Sequence, residues 1–208
     1  MLAAFTAGLL LITISELGDK TFFIAAILAM RHSRRWVFVG SIAALAAMTI
    51  LSVLLGQAAG LLPSEYVRWA EVLLFTGFGL KLLYDANRMG TKPNLEEQQE
   101  AAEVVEHAEA KLKRHNGLAV LSQAFGLTFV AEWGDRTQFT TIALSAANNP
   151  YGVTAGAILG HAICAALAVL CGRMVCKRIS ERTVTALGSG LFLLFGLVSF
   201  LRLMGLLS

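Results

Sequence analysis

The stretch ISELGDKTFF, residues 14–23, interrupts the apolar run 2–30 with three charged residues, Glu16, Asp19 and Lys20. The rest of that run is free of charge until its end and rich in leucine, isoleucine, alanine and phenylalanine. Such a composition is typical of a segment that crosses a lipid bilayer. A charged side chain costs roughly 2.5–3.5 kcal/mol at the centre of a membrane helix on insertion scales. The three charges therefore indicate a functional site or a set of buried partners.

The composition of the whole chain is that of a membrane protein. Of its 208 residues, 56% are hydrophobic and 15% are charged, which lies outside the usual range of soluble domains. The net charge of +3 is better explained by loop charges that orient the chain in a bilayer than by a nucleic-acid site. We therefore expect a lipid bilayer as surroundings and no nucleic acid as partner. Three cysteines match no thiolate metal motif and are expected to be small buried hydrophobes: Cys164, Cys171 and Cys176.

Apolar runs of about 20 residues, the length that crosses the hydrocarbon core, occur six times. They predict membrane helices at residues 2–30, 36–62, 67–87, 117–147, 151–173 and 183–203. Six spans place both termini on one side. Twelve lysines and arginines fall on the side of the central loop, against Arg68 and Arg202 on the other. The positive-inside rule then predicts a cytoplasmic central loop and non-cytoplasmic termini.

The central segment, residues 89–116, separates a first unit, 1–88, from a second, 117–208, and holds six of the fourteen acidic residues. Apolar residues recur in it at intervals of three and four, which predicts a short amphipathic helix; they are Ala101, Val104, Val105, Ala108 and Leu112. We favour a solvated, acidic cytosolic linker. The alternative is a cation-sensing arm made of Glu103, Glu106, His107 and Glu109.

The chain contains an internal repeat. Shifted by 116 residues, SELGDKTFFI at 15–24 aligns with AEWGDRTQFT at 131–140. The same shift, without a gap, pairs Gly40 with Gly156. Each unit has three predicted spans, so the second unit starts on the opposite side of the membrane and runs inverted. The predicted fold is therefore an all-α membrane protein with six transmembrane helices in two inverted three-helix repeats, an architecture common among secondary transporters.

The two charged motifs are predicted to meet near the bilayer midplane, where transporter sites usually lie. On a continuous helix, Glu16, Asp19 and Lys20 would share one face. Local ion pairs between each motif glutamate and the cation four residues later would leave both aspartates without partners. Four carboxylates and two cations carry a formal charge of minus two, which suits one divalent cation. The predicted ligands are Glu16, Asp19, Glu132 and Asp135.

The surrounding residues supply further oxygen donors, and oxygen ligands favour Ca²⁺, Mg²⁺ or Mn²⁺ over Zn²⁺ or Cu⁺. We expect the empty site to bind protons, so that metal and proton compete for the same oxygens. The motif residues expected to support the ligands are Thr21, Thr137, Lys20, Arg136, Gly18 and Gly134, the glycines by close approach or local unwinding. Those expected nearby or at a gate are Thr13, Thr128, Gln123, Gln138 and His161. We expect His161 to be neutral and hydrogen-bonded, with a proton relay as the alternative.

The doubled motif, ELGDKT at 16–21 and EWGDRT at 132–137, resembles that of the cation/proton antiporter family that includes Golgi and thylakoid manganese and calcium transporters and bacterial manganese exporters. The resemblance covers both halves. It implies export of Mn²⁺, or alternatively Ca²⁺, from the cytosol against protons, with no cofactor and no enzymatic activity. The N-terminus lacks a transit segment, which favours a bacterial plasma membrane. A homodimer is one assembly that such a chain could form.

Two other functions compete with antiport. An intramembrane aspartyl protease would pair a Tyr-Asp helix with a Gly-x-Gly-Asp helix, and Tyr84-Asp85 matches the first element. Against it, Glu16 stands where the first glycine should be, and Asp85 lies at the end of a span. The other competitor is a passive divalent cation channel. Ion-paired carboxylates at the midplane form a tight site more readily than a wet pore.

Overall fold

A computed structural model describes residues 1–89, 95–110, 116–178 and 181–207, without the side chains of 95–97, 171–178 and 181. Within these ranges the regular secondary structure is α-helical and no strand occurs. The helices are α1 (Leu2–Glu16), α2 (Lys20–Arg31), α3 (Arg34–Ala59), α4 (Ser64–Arg88), α5 (Leu95–Ala110), α6 (Gly117–Ala131), α7 (Arg136–Ala147), α8 (Pro150–Arg178) and α9 (Glu181–Leu203). Predictions for Leu112 and for the side chains of Cys171 and Cys176 lie outside the described residues.

Two of the predicted helices, 2–30 and 117–147, are each broken at the charged motif. The chain leaves the helix after Glu16 and re-enters at Lys20, and α1 and α2 are bent by 66° at this break. Gly18 and Gly134 have φ angles of +82° and +83°, in the left-handed region that glycine enters at no steric cost. The prediction that Glu16, Asp19 and Lys20 share one face of a continuous helix is therefore wrong.

The number of membrane spans was predicted as six. By length and composition, three helical stretches among the described residues can cross a membrane: Arg34–Ala59, Pro150–Leu170 and Arg182–Leu203. The bent pair α1–α2 makes a fourth if it counts as one span, and α6 is a shorter apolar helix. Helix α4 is 25 residues long but carries charged residues along its length, so composition alone does not identify it. All-helical architecture with three to four candidate spans is what the structure supports directly.

The helices pack in a pattern that follows the repeat. Helix α4 lies along α9, α1 lies along α8, and α3 contacts α6 and α7. A Cβ added at Gly40 would clash with the carbonyl oxygen of Leu121 in α6, and one added at Gly156 would clash with that of Phe5 in α1. The shift of 116 residues relates Gly40 to Gly156 and also Phe5 to Leu121. Two helix contacts that join the halves are therefore equivalent under the sequence repeat.

The acidic helix α5 packs along α2, which corrects the expectation of a solvated linker. Ala101 and Val105 are fully buried in the apolar cluster that contains most of α2. Near the end of α5, the Glu109 carboxylate contacts Arg31 and His32. Burial opposes the ionisation of Glu109, but hydrogen bonds from Arg31 and His32 outweigh it and lower the pKa of this carboxyl.

Candidate functional site

Each charged motif occupies the break between two helices. Glu16 ends α1 and Glu132 is the C-cap residue of α6, while Asp19 and Asp135 are the N-cap residues of α2 and α7. Asp135 accepts a hydrogen bond from the backbone N–H of Thr137, a usual way to satisfy the unpaired amides of a helix start. The break thus places a glutamate and an aspartate of each motif at adjoining helix ends.

Each motif threonine contacts the glutamate of its own motif, and Thr137 Oγ1 also lies 3.1 Å from Asp135 Oδ2. Thr21 Oγ1 donates to Glu16 Oε2 at 3.0 Å, and Thr137 Oγ1 lies 3.2 Å from Glu132 Oε2. Both glutamates are only 2% exposed. Their remaining oxygens, the Oε1 atoms, have no hydrogen-bond partner in the described part of the chain. Buried polar atoms are nearly always satisfied, and these two oxygens are free to bind a cation or a proton.

Carboxylates from both motifs converge. One oxygen each from Glu16, Asp19 and Glu132 lies within 4.8 Å of the other two. Asp135 lies outside this group but lines the same cavity as Asp19. The structure therefore brings three of the four predicted ligands together and places the fourth at the cavity wall. An all-oxygen set of this kind suits a hard divalent cation.

The cavity beside these carboxylates has a volume of about 430 Å³. Besides residues of both motifs, its lining includes Lys81 and Asp85 in the last turns of α4, Met89 directly after α4, and Thr185 of α9. Lys81 and Asp85 were not among the predicted site residues. Their sequence signal is charge near the end of a span, together with the Tyr84-Asp85 pair in the case of Asp85, and neither signal distinguishes a cavity wall from a solvated helix end.

The two motif cations have different partners. Arg136 Nη2 donates to Asp19 Oδ1 at 2.9 Å and to the carbonyl oxygen of Ser15 at 3.1 Å, so it reaches from the second motif to the first. Lys20 Nζ lies 3.0 Å from Glu100 Oε2 of α5. Local ion pairs, Glu16 with Lys20 and Glu132 with Arg136, were the alternative interpretation of these charges. The structure instead pairs Arg136 with Asp19 of the other half and Lys20 with Glu100 of α5.

Four of the other predicted neighbours are buried: Gln123, Thr128, Gln138 and His161. Gln138 Oε1 accepts from the backbone N–H of Gly134 at 2.8 Å, which fixes the second break. Thr128 Oγ1 donates to Ser41 Oγ, and the thiol of Cys164 donates to the carbonyl oxygen of Thr13. Several further atoms are buried without a hydrogen-bond partner within the described ranges: Thr13 Oγ1, both amide atoms of Gln123, and His161 Nδ1.

Comparison with known proteins gives a consistent picture. The family model described as divalent cation/proton antiporter GDT1 matches residues 4–90 and 120–205. GDT1-like protein sll0615 of Synechocystis is 61% identical over 201 residues, covering 96% of this chain and 98% of that protein. The chloroplastic PAM71-homolog of Arabidopsis thaliana is 41% identical over 213 residues, 95% of this chain and 59% of that protein. GDT1-like protein 3 of japonica rice is 43% identical over 204 residues, which cover 95% of this chain and 73% of that protein. No solved structure matches significantly.

Proposed function

The chain belongs to the divalent cation/proton antiporter family GDT1, and on that premise we propose that it exports Mn²⁺ from the cytosol in exchange for protons. The family consists of membrane transporters and not enzymes, which confirms the expected absence of catalytic activity and removes the protease alternative. What the family assignment leaves open is the ion, the direction of transport and the residues that bind the ion. The geometry of the two motifs supports a specific answer to each.

The observation that carries the proposal is the convergence of Glu16, Asp19 and Glu132 within 4.8 Å. Two of these groups have a buried oxygen without a hydrogen-bond partner among the described residues. A divalent cation bound to these oxygens would satisfy both, and Asp135, which lines the same cavity as Asp19, would complete the four acidic ligands. Thr21 and Thr137 would orient the glutamates through their hydrogen bonds.

Exchange follows from the charge of the site. Crowded carboxylates in a low dielectric repel one another and bear ionisation poorly without a cation. When the metal leaves, protons are the simplest replacement for its charge. Metal and protons then occupy the site alternately, which couples their movements in opposite directions. Arg136 would keep Asp19 in place in either state through their 2.9 Å contact.

We propose that the fold is the six-span inverted repeat. The equivalent contacts of Gly40 with α6 and of Gly156 with α1 support it, as do the equivalent breaks at Gly18 and Gly134. In this arrangement α1–α2 and α6–α7 are broken spans of opposite orientation. Each contributes half of the site at the level of its break. Irregular backbone inside a membrane is tolerated where it lines a binding cavity.

The proposed orientation makes the site accessible from the cytosol. The basic residues favour a cytosolic position for the end of α4 and the start of α9. The cavity runs from Asp19 and Asp135 to Met89 and Thr185 at those ends. Cytosolic ions would therefore enter here and pass Asp85 on the way to the motif carboxylates. We propose a bacterial plasma membrane as the location. The nearly complete match to a Synechocystis protein supports a bacterial membrane, and the match to a chloroplastic protein makes an organellar membrane the alternative.

We favour Mn²⁺ over Ca²⁺ as the transported ion because Mn²⁺ is the smaller ion and the converging carboxylates form a compact group. Ca²⁺ takes six to eight oxygens in a roomy shell, whereas Glu16, Asp19 and Glu132 form a small group held by fixed helix ends. Ca²⁺ is the second candidate and is tested in the same experiment.

The test is exchange in liposomes that contain the purified protein and a pH-sensitive dye. We expect Mn²⁺ to enter and protons to leave, so that the lumen becomes more alkaline. An Mn²⁺ flux that does not change with an imposed pH gradient would support a channel and contradict antiport. Glu16→Gln and Glu132→Gln should each abolish exchange, because they remove a ligand charge without changing side-chain volume. Glu65→Gln, at an exposed position on α4, is the matched control and should transport normally.

A further inference from the structure

The two motif cations are equivalent in sequence but not in their contacts. Arg136 reaches into the site and binds Asp19. Lys20, its counterpart at the shift of 116 residues, points away and binds Glu100 of α5. Both side chains are about one-third exposed, 30% for Arg136 and 33% for Lys20. Burial therefore does not explain why the two cations have different partners. The contact with Glu100 accounts for the direction of the Lys20 side chain.

The position of Lys20 affects the charge that a divalent cation meets. With Arg136 in place, the four motif carboxylates carry a formal charge of minus three. If Lys20 also turned toward them, the formal charge would fall to minus two. Lys20 directly follows Asp19, and its ammonium sits on a flexible four-carbon stem. A lysine freed from Glu100 could therefore compete with an incoming ion for these oxygens.

Helix α5 holds Glu100 in position for this contact. Ala101, the next residue, is fully buried in the cluster formed with α2, as is Val105 one turn later. Glu109, at the far end of α5, contacts Arg31 and His32 at the end of α2. The two helices are thus joined by an apolar seam with an ionic contact toward each end. One of these contacts lies beside the site and the other lies far from it.

We propose that Glu100 is a positioning residue of the cation site: it holds Lys20 away from the motif carboxylates and so strengthens the binding of a divalent cation. The inference rests on the proposed function, because it takes those carboxylates as the ligands. It gives the acidic segment between the halves a role in the affinity of the site. In that role α5 acts on Lys20 and does not itself bind the transported ion.

The test is the dissociation constant of Mn²⁺, measured by calorimetry on the purified full chain carrying Glu100→Gln. We expect the dissociation constant to rise about two- to fivefold, the range that corresponds to an exposed ion pair. The variant should remain folded, since solvent-exposed pairs contribute little to stability. Glu109→Gln is the matched control, because it breaks the contact between the same helices far from the site. We expect it to leave the dissociation constant unchanged.

Repeating the measurement in a chain that lacks Lys20 distinguishes an effect of Glu100 on Lys20 from a general effect of α5 on the site. In a Lys20→Gln chain, Glu100→Gln should have no further effect, because there is no lysine to release. An unchanged dissociation constant in the single Glu100 variant would overturn the inference, and so would an equal increase in the Glu109 variant or in the Lys20→Gln background. Wild-type protein that binds Mn²⁺ but exchanges no protons in liposomes would overturn the antiport proposal and leave this inference standing. Wild-type protein that binds no Mn²⁺ would overturn both.

Discussion

At the scale of single residues, the backbone of two glycines makes the site. Gly18 and Gly134 have positive φ angles, and a Cβ at either position would meet no atom within 4 Å. The constraint is therefore conformational and not one of space. Because these residues bend the chain between helices, by 66° in the first motif, Glu16 and Asp19 both approach Glu132. The charged residues provide the ligands, and the glycines place them.

Replacing either glycine by alanine tests this claim. Gly18→Ala or Gly134→Ala should each cost about 1–2 kcal/mol, the usual penalty of an L-residue in the left-handed region. Part of that loss should appear as weaker Mn²⁺ binding. Thermal unfolding in detergent, with and without Mn²⁺, measures both effects. Gly126→Ala in α6 is the control, since that glycine is helical and a Cβ there meets nothing within 4 Å. Alanine should be neutral or stabilising at Gly126, and an equal loss there would contradict the claim.

At the scale of helices, the sequence predicted the positions of the apolar segments well and their continuity poorly. A window of about 20 residues averages over a three-residue break, so 2–30 looked like one helix. The local signals were nevertheless present. Gly18-Asp19 is a dipeptide typical of a turn, and Asp19 before Lys20 is a good N-cap residue. The length of the apolar run predicted a continuous helix at this point, whereas the Gly-Asp dipeptide predicted a turn. The structure has the turn.

Helix α5 shows a different limit of prediction. The spacing of Ala101 and Val105 predicted an apolar face but contained no information about its partner. Because α5 is acidic, a solvated linker was the simpler interpretation. The partner is α2, whose own residues are buried around nearly its whole circumference. Such a pairing depends on where the break in the first motif directs α2, and composition does not reveal that direction.

A matched pair of substitutions tests whether α5 is docked. Ala101→Asp introduces a charge into the fully buried seam, and Ala110→Asp introduces the same charge at an exposed position of the same helix. An unpaired buried charge is strongly unfavourable, so the first variant should release α5. Hydrogen exchange of amides 98–110 should then accelerate by about tenfold or more, equivalent to at least about 1.4 kcal/mol. Equal exchange in the two variants would show that α5 is not held by this seam.

The ionic contact of Glu109 predicts a pH dependence of the same exchange. Because the pKa of Glu109 is lowered from its ordinary value of 4.5, the charged carboxylate is favoured when α5 is docked. The contribution of Glu109 to the docking of α5 is complete above the ordinary pKa. It is lost as the pH falls below about 4.5 and through the lowered pKa. Amides of α5 should therefore exchange faster in that acid range, relative to their intrinsic rates. The Glu109→Gln variant should lack this component, and an identical profile in both chains would contradict the assignment.

At the scale of the whole molecule, the two halves interlock and do not merely stand side by side. Helix α3 of the first half packs against α6 of the second at Gly40, and α8 of the second half packs against α1 of the first at Gly156. The repeat itself could be predicted, because the shift of 116 residues needs only the sequence. The contact of Arg136 with Asp19 could not, because the repeat gives equivalent positions and not the distance between them. Lys20, at the equivalent position of the first motif, instead contacts Glu100 of α5.

The interlocking predicts where small residues are required. Gly40→Ala and Gly156→Ala should both lower the free energy of unfolding, by about 1–3 kcal/mol as for other overpacked positions. The added methyl group would clash with the backbone of α6 in one case and of α1 in the other. Gly190→Ala is the control, because a Cβ at that position in α9 meets nothing within 4 Å. Chemical denaturation in detergent measures all three. If only one of the two equivalent glycines proved sensitive, the halves would not be packed as described.

The central claim is that carboxylates from both motifs bind one divalent cation in competition with protons. Titration calorimetry of Mn²⁺ into the purified chain, at two pH values and in buffers of different ionisation enthalpy, tests it most directly. We expect one ion per chain, proton release on binding, and weaker binding at the lower pH. Two independent ions per chain, or binding that releases no proton at either pH, would contradict the claim.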